Sequence, residues 1–254
     1  MKDEYHGSVQ KELIAERKSF STKYASLFLG EKSLFKLIRF ELTILFFSGV
    51  PGALGFFLRR LFYPGLFRSV GKGVVFGKDI TLRHPSKISI GDKTFIDDNV
   101  VLDAKGRDNA GIRIGRNVLI GRGTILSCKE GSIYLDDYVN ISANCMLLSE
   151  TEIRMGKYSF LAGRCYLVAG GNHTFEDLTT PIMFQPSYSK GGIKIGEDVW
   201  LAAGVIVVDG VTIGRGTIVS AGSVVGTKLP ENIVAMGMPA TKLKDRSWKP
   251  KSGN

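Results

Sequence analysis

The sequence has few of the residues that build disulfide frameworks. Among 254 residues there are three cysteines, Cys128, Cys145 and Cys165, and no CxxC motif. An odd number of cysteines inside apolar, repetitive segments predicts reduced, buried thiols. Such cysteine usage is typical of a cytoplasmic protein, because disulfides persist mainly in oxidising compartments.

Histidine is equally scarce, and so are the motifs of several enzyme classes. His6, His84 and His173 are scattered, without the HExxH or His-x-His spacing of a metal site, so no metal is predicted. The sequence contains no Walker loop and no GxSxG. Its formal net charge is +10, yet no zinc-finger spacing or RNA-recognition signature accompanies it. The basic excess therefore points to anionic lipid or an anionic ligand, and nucleic acid is not predicted.

Long hydrophobic runs are also missing. The run Leu42–Phe47 is far shorter than the roughly 20 residues that span a bilayer. Residues 34–68 are predicted to form two short helices joined at Gly49–Gly52, each with an apolar face and a basic edge. That pattern favours a peripheral element on the cytoplasmic face of a membrane, and a helical cap over the first coil of the fold is the alternative. The N-terminal stretch MKDEYHGSVQKELIAERKS is too acidic for a signal peptide.

Glycine, by contrast, is abundant, with 31 residues, and it accompanies a period of six between Ile195 and Pro230. An aliphatic residue returns at every sixth position: Ile195, Leu201, Val207, Ile213, Val219 and Val225. Antiparallel strands would instead show simple alternation and hairpin turns. A fixed six-residue period predicts a parallel β-helix, in which three units make a coil of roughly 18 residues.

The same period extends back to Val74, so the fold class is an all-β solenoid of roughly seven coils. Residues 173–192 lack the period and are predicted to be an inserted loop of functional importance. The predicted organisation is a helical segment over 1–72, a β-helix over 73–243 and a loose tail over 244–254.

The segment IGEDVWLAAGVIVVDGVTIGRGTIVSAGSVV, followed by MGMPATKLK, resembles the left-handed β-helix acyltransferases. These hexapeptide-repeat enzymes include the galactoside, maltose and xenobiotic acetyltransferases. The resemblance covers residues 74–243 and implies a left-handed coil, a homotrimer and acetyl-CoA as donor. The apolar N-terminal segment, with LRHP and LDAKG, is similar to the branch that serves polysaccharide and O-antigen biosynthesis.

His173 is the predicted general base. It opens the inserted loop, and the resemblance places a histidine at this point. Histidine suits the task because its ordinary pKa leaves it mostly neutral at pH 7. A carboxylate or a carbonyl on the far ring nitrogen would fix its tautomer. The sequence does not choose among the nearby acids, which are Glu150, Glu152, Glu176 and Asp177. By the same resemblance Asn144 helps to bind the acceptor, although a corner Asn explains that residue equally well.

The resemblance also implies where acetyl-CoA lies. Trp200 matches an aromatic residue that walls the acyl-transfer tunnel between subunits. A backbone N–H at Ala203 or Gly204 matches the donor for the oxyanion. The pantetheine contacts fall on Ala203 and Ala221, whose small side chains let backbone amides approach a ligand.

The phosphates of CoA require cations, and here the sequence departs from the family pattern. Family members often carry Thr-Lys-Asp after a Val-Val pair, whereas this chain has Gly226, Thr227 and Lys228, shifted by one. Lys242 and Lys244 are the other options.

These observations predict a homotrimeric acetyl-CoA-dependent O-acetyltransferase acting on a sugar hydroxyl of a lipid- or nucleotide-linked glycan, by direct transfer. The alternative enzymatic function is N-acylation of an amino sugar, or acyl transfer with an acyl carrier protein as donor. A β-helix scaffold without activity is the alternative of another class.

Overall fold

The computed structural model describes residues 20–30 and 33–247. The polar lead-in predicted for the N-terminus falls mostly within residues 1–19, and most of the predicted tail falls within 248–254. Those parts of both predictions lie outside the described residues.

Three parallel sheets form the faces of a stacked coil, because each turn contributes one short strand to each sheet. The first sheet, A, contains β1 Ser69–Val70, β4 Ile88–Ile90, β7 Ile112–Ile114, β10 Ser132–Leu135, β13 Glu152–Met155, β18 Ile193–Ile195 and β21 Thr212–Ile213. Sheet B contains β2 Val75–Phe76, β5 Phe95–Ile96, β8 Leu119–Ile120, β11 Asn140–Ile141, β14 Phe160–Leu161, β19 Trp200–Leu201, β22 Ile218–Val219, β24 Ile233–Gly237 and β25 Ala240–Asp245. Sheet C contains β3 Thr81–Arg83, β6 Val101–Asp103, β9 Ile125–Cys128, β12 Met146–Ser149, β15 Tyr166–Ala169, β20 Ile206–Val207 and β23 Val224–Val225.

The predicted solenoid is therefore confirmed. Sheets A and C have seven strands each, and sheet B has eight parallel strands, of which β24 is the last. The strand β25 turns back antiparallel to β24 and closes that end. The left hand of the coil stays a prediction from the resemblance.

Aliphatic ladders fill the axis of the coil. In sheet A, Ile88, Ile112, Ile133, Ile153 and Ile193 stand directly above one another, and each is fully buried. The six periodic residues between 195 and 225 are also buried, with exposed fractions of 3% or less. Burial of each such side chain stabilises the fold by about 1.5–3 kcal/mol. The six-residue period thus records which side chains face the core.

The corners of the coil require left-handed backbone. Asn99, Asn117 and Asn144 have φ of 58°, 54° and 58°, and Gly204 and Gly222 have φ of 70° and 69°. Asn and Gly adopt this conformation at low cost, which explains why they recur at the turns.

The three cysteines are free and buried, as predicted. Burial raises the pKa of Cys128 to about 12, so this thiol stays protonated near neutral pH.

Within residues 20–30 and 33–68, three α-helices precede the solenoid: α1 Phe20–Phe28, α2 Leu34–Phe47 and α3 Gly52–Phe62. The predicted break at residues 49–52 separates α2 from α3. Behind α3, Tyr63 and Phe67 pack on Phe76 of the first turn with ring centroids 5.5 Å away in each case. The helices thus cover the first turn of the solenoid. None of the helices in the described part of the chain has the length and hydropathy needed to span a bilayer.

One buried arginine fixes these helices in place. Arg59 is 1% exposed. Its guanidinium donates to the carbonyls of Phe47, Ser48 and Val50 at 3.1, 3.3 and 2.7 Å, and to Phe76 at 3.0 Å. It therefore satisfies carbonyl groups at the end of α2 and ties the helical hairpin to β2.

The LRHP segment joins α1 to the solenoid. His84 has φ of 50°, and its Nε2 lies 3.0 Å from the carbonyl of Ser26. The guanidinium of Arg83 lies 4.1 Å from the ring centroid of Phe28. Arg83 and His84 therefore anchor α1 to the solenoid.

Candidate active site

The loop over 173–192 leaves the solenoid after β15 and returns at β18. Gly170 and Gly171 stand at its start with φ of 114° and 75°, and Gly191 and Gly192 at its end with φ of 103° and 84°. These positive φ values disfavour any side chain. Within the loop, β16 Asn172–His173 pairs antiparallel with β17 Ser187–Tyr188. His173 is thus held on a short hairpin rather than on free chain.

A backbone carbonyl orients the ring of His173. Its Nδ1 lies 3.2 Å from the carbonyl oxygen of Gln185. A carbonyl can only accept, so this contact places the proton on Nδ1 and leaves the lone pair on Nε2. Gln185 is itself 5% exposed, and its amide donates to the carbonyls of Asp177 and Thr180 at 2.7 and 2.8 Å. The ring is therefore set by a well-fixed partner.

The four acids considered in the sequence make their described contacts elsewhere. Glu150 accepts from Lys129 at 2.8 Å, and Glu152 pairs with Arg154 at 2.6 Å. Asp177 accepts from the hydroxyl of Thr179 at 2.7 Å, and Glu176 accepts from the amide of its neighbour Phe175 at 3.0 Å. Hydrogen bonds from Thr180 and Thr179 lower the pKa of Asp177 to about 2, so it stays ionised and stabilises the loop turn. Of the two options left open by the sequence, the structure shows the carbonyl.

The other predicted residues lie along a different edge of the solenoid. Asn144, Ala203 and Ala221 belong to the corners between sheets B and C, with Ala203 two turns after Asn144 and Ala221 one turn further. The amide of Gly204 donates to Gly163 at 3.0 Å, and that of Gly222 donates to Ala203 at 2.9 Å. In the described part of the chain, no backbone acceptor takes the amides of Ala203 or Ala221. A side chain built on Gly204 or Gly222 would meet open space, so a ligand has room at this edge.

Within one chain, His173 lies away from the edge that carries Asn144, Ala203 and Ala221. The loop leaves the corner between sheets C and A, at the far end of β15. A four-residue strand spans roughly 13 Å, and that strand separates the two edges. Thr227 and Lys228 follow β23 and lie on the edge of the loop. Trp200 lies on sheet B, 45% exposed, and stacks on Phe160 with ring centroids 6.3 Å apart.

Lys242, one of the predicted phosphate ligands, lies on β25 and forms an ion pair with Asp245 at 2.7 Å. Lys228 and Thr227 are exposed. The predicted cofactor residues are therefore divided among two edges and the closing hairpin. Within the residues described, no cluster of three or more metal-ligating side chains occurs.

Known proteins share the six-residue repeat of this chain. The family described as bacterial transferase hexapeptide (six repeats) matches residues 192–227. WcaF of Escherichia coli, named as a colanic acid biosynthesis acetyltransferase, is 36% identical over 140 residues, which cover 54% of this chain and 70% of WcaF. The chain belongs to the hexapeptide-repeat acyltransferase family.

Other relatives of this hexapeptide acyltransferase are matched over a smaller share of their own length. Rv3034c of Mycobacterium tuberculosis, named as an acetyltransferase, is 33% identical over 141 residues, covering 55% of this chain and only 46% of Rv3034c. The galactoside O-acetyltransferase of Lactococcus lactis is 30% identical over 145 residues, covering 54% of this chain and 65% of the relative.

A variant of AntD, an N-acyltransferase from Bacillus cereus, was solved with dTDP-4-amino-4,6-dideoxyglucose and coenzyme A. It is 28% identical to this chain, with a TM-score of 0.50, over 72% of this chain and 86% of its own length.

The structure of this acyltransferase adds a site residue that the sequence did not reveal. Asp209 is 4% exposed and accepts from the side chain of Asn172 at 2.9 Å and from the amides of Lys190 and Gly192 at 2.6 and 2.8 Å. It fastens both ends of the loop to the next turn. In the sequence, Asp209–Gly210 looks like one more corner, and only the absence of the period in the preceding loop hinted at an anchor.

Proposed function

We propose that this enzyme transfers acetyl from acetyl-CoA to a sugar hydroxyl of a glycan or glycan precursor, with His173 as general base. The contact between Nδ1 of His173 and the carbonyl of Gln185 carries the proposal, because it leaves Nε2 with a lone pair. Nε2 takes the proton as the hydroxyl oxygen attacks the thioester carbon. The carbon–sulfur bond breaks, and the CoA thiolate accepts that proton. No acyl-enzyme is formed.

The oxyanion of the tetrahedral intermediate requires a donor, and Ala203 is favoured over Gly204. The amide of Gly204 is already bound to Gly163, whereas the amide of Ala203 has no backbone acceptor among the described residues. Such a donor is worth on the order of 3 kcal/mol. Ala221, one turn further along the same edge, offers its amide to the pantetheine in the same way.

A homotrimer completes the site in this proposal. His173 lies on one edge of the solenoid and Ala203 on another, so a single chain does not bring them to one ligand. A cyclic trimer places the loop edge of one copy against the small-residue edge of the next. The loop supports this arrangement, because Phe175, Leu178 and Met183 are 62%, 96% and 67% exposed in the single chain. Exposed apolar side chains of this kind favour burial in an interface with another copy of the chain.

In the assembled cleft, Trp200 walls the tunnel and Asn144 binds the acceptor. Lys228 with Thr227, or Lys242, takes the CoA phosphates. The polysaccharide-biosynthesis relatives support a glycan acceptor. The proposal further has the helices over 34–68 bind the cytoplasmic face of a membrane, where a lipid-linked acceptor would lie.

N-acylation of an amino sugar is the second candidate function. The likeness to AntD, an N-acyltransferase solved with an amino sugar nucleotide, favours it. Comparing transfer to matched hydroxyl and amino sugars separates the two, and the proposal predicts faster transfer to the hydroxyl.

The direct test replaces His173 by Asn. The Asn amide can still donate to Gln185, but it offers no basic nitrogen. We expect acetyl transfer to fall by about 10²–10⁴-fold, while the thermal shift on adding CoA is kept. Unchanged acetyl transfer in His173→Asn would show that His173 is not the general base. A wild-type protein that neither binds CoA nor transfers acetyl would instead favour a β-helix scaffold without activity.

A further inference from the structure

The two helices α2 and α3 expose an unusually apolar surface. Phe35, Leu42 and Leu45 on α2 are 75%, 48% and 74% exposed, and Leu54, Phe57 and Leu61 on α3 are 62%, 63% and 61% exposed. Their spacing places them along one stripe of each helix. These six residues are called the apolar face below.

The apolar face is held rigidly. The opposite side of α2 buries Phe40 and Thr43. Phe47 stacks on Phe62 with ring centroids 4.2 Å apart, and Arg59 ties both helices to the solenoid. A surface fixed in this way keeps its shape without a partner, so its exposure is built into the fold.

Cations border this surface. Residues 34–72 contain six Lys or Arg and one acid, Glu41, which accepts from the hydroxyl of Tyr24 at 2.7 Å. The guanidinium of Arg39 lies directly over Gly65, where a methyl group would collide with it. Among the described contacts Arg39 has no hydrogen bond or ion pair. With Lys36 it lines a cavity of about 110 Å³ between α2 and the first turn.

We propose that the apolar face lies in the headgroup region of an anionic membrane and that the Lys36–Arg39 cavity binds the phosphate of a lipid headgroup. Apolar side chains bury in the acyl boundary, and each nearby cation adds about 1 kcal/mol on an anionic surface. This defines the residues of the membrane contact proposed above.

A second copy of the chain fits this surface less well than a membrane. A two-fold contact would bring the same cations, Arg39, Arg60 and Lys36, against one another and would bury like charges. An anionic bilayer neutralises them. In the proposed trimer the three apolar faces would also lie at the same end, because cyclic symmetry keeps equivalent surfaces at one height. Membrane binding would then gain avidity.

Flotation of the full-length protein with vesicles tests the proposal. We expect wild type to float with vesicles of phosphatidylcholine and phosphatidylglycerol, and much less with phosphatidylcholine alone. The double variant L42S/L45S is expected to stay in the soluble fraction. Arg39→Gln should weaken binding to anionic vesicles about 5-fold, the equivalent of about 1 kcal/mol.

Two matched controls lie away from the apolar face. Leu243→Ser removes another apolar side chain, 57% exposed, and Arg113→Gln removes an exposed arginine on sheet A. Both are expected to float like wild type.

Equal binding to neutral and anionic vesicles would overturn the phosphate site. Loss of a higher oligomer in L42S/L45S with vesicle binding intact would overturn the membrane contact in favour of a second copy. Four strand steps in sheet C, β3 to β15, separate the helices from His173. Transfer to a soluble acceptor therefore reports on the proposed chemistry separately, and we expect L42S/L45S to keep it.

Discussion

Asp209 has a measurable role at the scale of single residues, because it bonds both ends of the loop that carries His173. In Asp209→Asn an amide NH₂ replaces one carboxylate oxygen and faces donors. We expect the loop to loosen and acetyl transfer to fall at least about 10-fold, since small displacements of catalytic groups are costly. Limited proteolysis within 173–192 should quicken as well.

Ser189→Ala is the matched control for Asp209→Asn. The hydroxyl of Ser189 lies 3.4 Å from the carboxylate of Asp209, which is the longest of the contacts that this carboxylate makes with the loop. Near-normal transfer is expected. Equal losses in the two variants would mean that the loop is held by something other than the carboxylate.

The sequence predicted His173 but not the residues that hold it. The histidine was conspicuous because it opens the stretch where the period stops. Gln185 acts mainly through its backbone carbonyl and its buried amide, and neither leaves a pattern in the sequence. Asp209 is distant in sequence from His173, and only the stacking of turns brings it beneath the loop.

At the scale of secondary-structure elements, Arg59 stabilises the hairpin of α2 and α3 on the solenoid. Removing its side chain leaves the carbonyls of Phe47, Val50 and Phe76 without their donor. We expect Arg59→Ala to destabilise the helices by about 2–4 kcal/mol. Hydrogen exchange of α2 and α3 measures this, while the strands of the solenoid keep their protection.

Arg60 is the neighbouring control, because it is exposed on the same helix. Arg60→Ala should leave exchange of α2 and α3 close to that of wild type. If both variants behaved alike, the hydrogen bonds of Arg59 would not be what holds the hairpin.

His84 makes the attachment of α1 dependent on pH. Burial lowers the pKa of His84 from its ordinary value of 6.5, because the charged ring loses its hydration inside the fold, and this effect exceeds the opposing one of the hydrogen bond to the carbonyl of Ser26. The unfolded chain then binds the proton more readily than the folded one. The stability from this contact is present above pH 6.5 and is lost as the pH falls below it.

Replacing His84 by Asn checks this prediction, since Asn tolerates the left-handed backbone but does not titrate. The wild type should melt at a higher temperature than His84→Asn above pH 6.5, and the difference should shrink on acidification. A difference that stayed constant would show that the ring does not change its charge over this range.

The elements differ in how far the sequence determined them. The strands of the solenoid were predictable, because every sixth residue must face a narrow core. The helices were predictable from the glycines and proline between them. The attachment of α1 was not, because it depends on His84 and Arg83, which lie more than fifty residues from their partners in the chain.

At the scale of the whole molecule, the account depends on a site shared between copies. Sequence periodicity sets the order of the turns but says nothing about which edges of neighbouring solenoids meet. The structure of the single chain supplies the constraint, since His173 and the edge of Asn144 and Ala203 stand at opposite ends of the strands of sheet C.

Mixing two inactive variants tests this claim most directly. Two variant proteins are prepared, His173→Asn and Asn144→Ala, each expected to have low activity alone. They are refolded together or co-expressed so that mixed trimers form. Mass spectrometry confirms that the trimers contain both variants. A cleft with His173 from one copy and Asn144 from the next arises at about a quarter of the sites in random trimers. The account predicts recovery to about a quarter of wild-type transfer. Mixed trimers that remain as inactive as either parent would contradict it.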